Sequence, residues 1–144
     1  LPGDPGYDPN VTHGLVATVF DEEISGEHWG CYGFDISGAA GTAFGTGNQN
    51  TIDIVTAACA GSNAGERCFH LVEGGYDDWY LPSKVEMEVM RANFQWLGGW
   101  SAEKYFTSSE IDDEYVWMMD FVTGNSVMEF KYFVDGKVRA IRSF

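Results

Sequence analysis

Positive charge is scarce in this chain. Of 144 residues only 8 are Lys or Arg, against 22 Asp or Glu, for a formal net charge of −14. Nucleic-acid binding depends on cationic side chains that neutralise phosphates, so no nucleic-acid partner is expected. The same deficit disfavours anionic membrane surfaces and sulfated polysaccharides, whereas an acidic surface suits solubility, calcium capture or a cationic partner. No apolar run approaches the ~20 residues needed to cross a bilayer, so membrane insertion is not expected. No basic start followed by an apolar segment is present either, so no signal peptide is legible.

Motifs for chemistry are missing as well. The 3 cysteines form no C-x-x-C, which sets aside zinc ribbons and thioredoxin-type redox motifs. No Gly-Lys-Ser/Thr occurs, and the run Gly41 to Gly47 lacks the third Gly of the dinucleotide fingerprint. In Gly61-Ser62-Asn63-Ala64-Gly65 the Ser is misplaced for a nucleophile elbow, so both Gly-rich segments read as flexible loops. His13, His28 and His70 lack the helical spacing of a zinc pair, and His28, beside Trp29, reads as structural before it reads as a ligand contact. With 22 acids available, no hydrolytic carboxylate pair stands out. The chain is expected not to be an enzyme.

What is abundant is core material. Hydrophobic residues make up 44% and aromatics 15%, with 5 Trp, 7 Tyr and 10 Phe, which excludes a disordered chain. A chain of this length fits one domain that buries roughly two-thirds of its unfolded surface. Residues 1–12 read as an extended lead-in containing the sequon Asn10-Val11-Thr12, and residues 13–144 as a single domain.

The run His13 to Phe20 is β-branched and apolar between turn formers and predicts a strand. Residues 21–50 are dense in Gly and predict an irregular loop region. Asn50 and Thr51 are placed to cap a helix from Ile52, with Asp53 in its first turn, and a second helical piece is expected from Ala64 to Val72. Ser83-Lys84-Val85-Glu86 is a capping box opening a helix to about Gln95, with the Gly98-Gly99 pair ending that region. Strands are expected over Tyr105 to Ser109, Tyr115 to Val122, Val127 to Phe133 and Val138 to Phe144. Thr123-Gly124-Asn125 and Asp135-Gly136 are hairpin signals between them. Helices first, then an antiparallel sheet, predict an α+β domain.

Cys59 and Cys68 close a short loop and are expected to bridge in an oxidising compartment, the alternative being two buried thiols. Cys31 is then unpaired, either a small buried hydrophobe or a link to another chain. Glu110, Asp112, Asp113 and Glu114 form the densest acidic cluster, a loop of hard oxygen ligands that could hold calcium although its spacing is not that of an EF-hand; a solvated loop is the plainer reading. No resident cofactor is otherwise expected. Asp77 and Asp78 are expected to shape a turn or to pair with Arg139 or Arg142, at least one of which should be partly buried.

Four ordered motifs, GYDDWYLPSKVEMEVM, YFTSSE, VWMMDF followed by TGN, and KVRAIRSF, resemble the C-terminal domain family of bacterial collagen-like adhesins. HGLVAT and FGTGNQNT are similar to that family's first half, so the resemblance covers residues 13–144. It implies a C-type-lectin-like fold related to that of formylglycine-generating enzymes, with two main helices packed on short twisted antiparallel strands and long Gly-rich loops. Such domains are used outside the cell for attachment, and some bacterial and phage relatives vary the loop and strand around the aromatic motif to change ligand. Catalysis in the formylglycine-generating style would require a redox-active cysteine pair in a pocket.

Carried over by residue, the resemblance makes Trp79, Leu81, Pro82 and Ser83 a structural turn and cap. Trp117, Phe121, Gly124, Arg139, Arg142 and Phe144 become framework positions. The varied, ligand-binding positions are Asp112, Asp113, Glu114, Tyr115, Met118, Asp120, Asn125, Ser126 and Met128. On a strand Trp117, Met119 and Phe121 share one face while Met118 and Asp120 point the other way; the alternative for Met118 and Met128 is simple core packing. The expected function is a secreted or cell-surface binding module for a glycan or protein ligand. The rival is a surface oligomer or filament subunit. It rests on the family's opening strand being replaced here by LPGDPGYDPNVT, which leaves a sheet edge open to another copy.

Overall fold

The computed structural model describes residues 14–19, 28–59 and 61–144. The expected lead-in, the sequon and His13 lie outside these residues. The architecture is α+β, in the order β1 (Leu15–Ala17), α1 (Gly47–Thr56), α2 (Ala64–Phe69), α3 (Lys84–Leu97), β2 (Lys104–Glu110), β3 (Tyr115–Asp120), β4 (Asn125–Phe130) and β5 (Ile141–Ser143). The antiparallel sheet β2-β3-β4 carries the fold, and β1 and β5 form a separate antiparallel pair. Arg139, fully buried, ties that pair to the rest: its guanidinium donates to the carbonyls of Thr18 (2.8 Å) and Gly99 and lies 4.2 Å from the Trp100 ring centroid. Arg142 forms a two-point pair with Asp78, at 2.6 and 2.9 Å, as one of the sequence expectations had it.

Alternate strand residues feed two cores, one on each face of the sheet. Tyr105 and Met119 are register partners and pack with Met87 and Met90 of α3. Phe106, Met118 and Val127 lie in one cross-strand row on the opposite face and join Trp29, Ile54 and Leu81 in the larger core.

Helix α3 starts where the sequence places it. The Ser83 hydroxyl accepts from Glu86 N (3.3 Å) and the Glu86 carboxylate accepts from Ser83 N (2.7 Å), closing the capping box. Helix α1 corrects the sequence expectation, since it begins at Gly47, before Asn50 and Thr51, with Thr46 as a cap that makes no side-chain bond. The two expected caps are instead buried on the helix. Asn50 donates to Gly41 O (2.6 Å) and Ser108 Oγ (3.2 Å), while Thr51 Oγ1 donates to Gly47 O (2.8 Å) and accepts from Leu81 N (3.0 Å). Tertiary partners outcompeted the local cap geometry these residue types usually supply.

Three further expectations are revised. Helix α2 ends at Phe69, three positions short of Val72, and is capped by Asn63, whose Oδ1 accepts from Glu66 N at 2.9 Å. Gly65 is therefore helical rather than part of a flexible loop. A Cβ there would stand 2.8 Å from Ile54 Cγ2, so the glycine allows α1 and α2 to touch. Asp135-Gly136 forms no two-residue hairpin: β4 ends at Phe130, and β5 pairs with β1 rather than with β4. Gly124, at φ 77°, does close the β3–β4 turn.

The expected Cys59–Cys68 bridge is also overturned. Cys31 and Cys59 form the disulfide, with Cα atoms 5.3 Å apart, and Cys68 is a buried cysteine outside that bridge. Cys68 points from α2 into the larger core, whereas Cys59 follows the end of α1 and meets the loop that carries Cys31.

Candidate functional site

The face of the sheet that α3 covers is covered at one end only. Met119 lies beneath the helix, and Lys84 at the helix start reaches over the Trp117 ring, 5.1 Å from its centroid. Beyond that point the sheet presents rings to solvent. Tyr115 faces its register partner Phe130 at 4.7 Å between centroids, Phe130 stacks on Tyr132 at 4.9 Å, and Tyr132 meets Tyr32 edge-on at 4.8 Å. These four rings form one continuous strip, and none of them is fully buried. Met128, paired with Trp117, flanks the strip at 56% exposure.

The nine positions expected to bind ligand separate on this framework. Tyr115, Ser126 and Met128 share the ring-bearing face, and Ser126 donates to Glu88 at 2.8 Å. Met118 is fully buried in the larger core, so its expected outward-facing role is corrected: α1, α2 and the loop through Trp29 cover the face on which it lies. Asp120 and Asn125 sit as partners at the far end of the hairpin, where Asp120 Oδ1 accepts from Val122 N (2.9 Å) and shapes the turn.

The acidic loop does structural work. Asp112 Oδ1 accepts from Glu114 N (2.9 Å) and Tyr115 N (2.8 Å), an Asx turn that orders the loop itself. The Asp113 carbonyl accepts from Gly33 N at 2.7 Å, and Glu114 accepts from the Tyr32 hydroxyl at 3.1 Å. Loss of solvation first, and the Glu114 bond next, push the Tyr32 phenol above its usual range, so it stays protonated. Glu110 is turned inward. It accepts from Ile36 N (3.0 Å) and pairs with Lys131, whose side chain is fully buried and also donates to Phe34 O at 2.7 Å. Among the described residues no group of three His, Cys, Asp or Glu side chains is assembled to hold a metal ion.

Through these contacts the acidic loop and the Glu110–Lys131 pair hold the segment 31–36 in place. With the end of α1 that segment encloses a cleft of about 650 Å³, whose wall includes His28, Tyr32, Phe34, Asp35, Tyr132 and the Cys31–Cys59 disulfide. His28 carries a buried Nδ1 with no hydrogen-bond partner. The disulfide thus does face a cleft, though its sulfurs are bonded to each other and His28 Nδ1 is not held against any nucleophile, as an activated pair requires.

Tyr32, Phe34, Phe130 and Tyr132 were missed by reasoning from sequence. Phe130-x-Tyr132 carries a signal, an aromatic alternation at the end of β4 that stacks the two rings, whereas Tyr32 and Phe34 lie in a turn segment with no strand period to read. High Gly content in 21–50 hid the latter pair. No family model matches the chain, and none of the curated proteins compared with it is similar.

Proposed function

We propose that the chain is an extracellular, non-catalytic binding or adhesion module that recognises a glycan or protein ligand through the ring strip Tyr115–Phe130–Tyr132–Tyr32 and the acidic loop at its end. The observation that carries this is the strip itself: four adjoining aromatic side chains, partly solvent-exposed, two from strands β3 and β4 and two from the turns beside them. Exposed rings supply contact area at low entropic cost and stack on sugar faces or apolar side chains. The resemblance to adhesin C-terminal domains, with the C-type-lectin-like fold it implies, points the same way, as does a disulfide, which persists in oxidising compartments. No helix among the described residues is long and apolar enough to cross a membrane.

A second reading, an assembly subunit, draws on β4, which has no strand on its outer side among the described residues. It loses the covalent link that a spare Cys31 would have offered, because Cys31 is paired within the chain.

The test is an array of glycans and extracellular proteins probed with the wild type and with Tyr115→Ala plus Tyr132→Ala. Wild-type binding should fall at least tenfold in the double variant, about 1.4 kcal/mol or more, with the melting temperature held. Undiminished binding would move the site elsewhere. Absence of any hit together with concentration-dependent sedimentation would favour assembly.

A further inference from the structure

The cleft beside the strip has a chemistry of its own. Three of its wall residues are aromatic, Tyr32, Phe34 and Tyr132, and Phe34 is 70% exposed although Lys131 pins its backbone carbonyl. Asp35 adds a carboxylate to the wall, and Glu114 stands behind the Tyr32 hydroxyl. Among the described residues no Lys or Arg lines the cleft, in a chain of net charge −14. Ring faces carry a negative quadrupole, and a nearby carboxylate reinforces the attraction for a cation whose bulk is apolar. A sugar without charge would gain nothing from Asp35 beyond a hydrogen bond, and an anion would be repelled.

We propose that this cleft binds a substituted ammonium group on a short apolar stem, held by Tyr32, Phe34, Tyr132 and Asp35. The cation sits against the rings and the Asp35 carboxylate, and the stem lies along the apolar wall of Ile36, Ala57 and the disulfide. The group has two natural carriers, a methylated lysine side chain or a small choline-type amine. The site deepens the reading of this face as a ligand surface and rests on it.

The experiment is a calorimetric titration of the full, oxidised chain with choline, with N-acetyl-trimethyllysine methylamide, and with the neutral carbon isostere of choline in which tert-butyl replaces trimethylammonium. At least one cation should bind saturably, about tenfold or more tighter than the isostere. Phe34→Ala should weaken it about tenfold, and Asp35→Asn should weaken it and flatten its salt dependence. Phe34 is largely exposed, so its variant is expected to keep the wild-type melting temperature, which is checked alongside. Choline alone binding identifies a small amine, the lysine derivative alone a protein side chain. No binding by either cation, equal binding of the isostere, or indifference to Phe34→Ala overturns the proposal. Tyr115→Ala separates the two claims: it should weaken array binding by the strip while leaving cation affinity in the cleft unchanged.

Discussion

Lys131 shows how one side chain holds the candidate site. Its ammonium is fully buried, paired with Glu110, donating to Phe34 O, and 5.1 Å from the Trp29 ring centroid. Removing one partner of such a pair leaves a buried charge without compensation, at a cost of about 3–5 kcal/mol. Lys131→Met should therefore destabilise by that amount in urea denaturation, and adding Glu110→Leu should recover most of it. If the single variant unfolds at the wild-type midpoint, the pair does not hold the 34–36 segment. The sequence placed Glu110 in a solvated acidic loop because four neighbouring acids read as surface. Its inward turn depends on Lys131, 21 positions away, and on Ile36, 74 away, contacts that no local pattern encodes.

At the scale of elements, short-range signals decided what the sequence revealed. The capping box at Ser83 is complete within four residues and predicted the start of α3. The expected caps Asn50 and Thr51 failed because their partners, Ser108 of β2 and Leu81 of the segment before α3, are distant in sequence. Glu86 combines both levels: it closes the capping box and, fully buried, accepts from Gly45 N at 3.0 Å. Burial, the largest influence, raises its carboxyl above the ordinary carboxylate range despite these bonds. The folded state then holds the proton to higher pH than the unfolded chain, so stability falls as pH rises from about 4 through the folded value. Glu86→Gln cannot ionise. It should be less stable than wild type at pH below about 4, and its deficit should shrink as pH rises through that window. Denaturation midpoints of both proteins across a pH series measure this; a deficit constant with pH would show that Glu86 titrates alike in both states.

Across the whole molecule, a sheet packed on one face, and on the other only beneath α3, leaves a limited area for recognition. The alternation of β3 was legible, and it correctly set Met118 opposite Trp117. Which face meets solvent was not legible, since that depends on where α1 and the loop through Trp29 pack. The disulfide has the same character. Spacing favoured Cys59 with Cys68, yet the fold joins Cys59 to Cys31, a sequence separation of 28. Closing a loop of that length is worth about 3–4 kcal/mol of chain entropy. Reduction should lower the denaturation midpoint accordingly, and buried Cys68 should resist alkylation in the oxidised native state until the protein unfolds. Prompt labelling of Cys68 under native conditions would contradict that placement.

The claim that the ring strip is the recognition face is tested most directly by mapping the footprint of the first ligand found, by amide chemical-shift perturbation on the full chain. The largest changes should fall on Tyr32, Tyr115, Phe130 and Tyr132 and the loop 112–114, with little on the exposed Trp96 end of α3 or on the β1–β5 pair. A footprint centred on either of those regions, leaving the four rings unshifted, would contradict it.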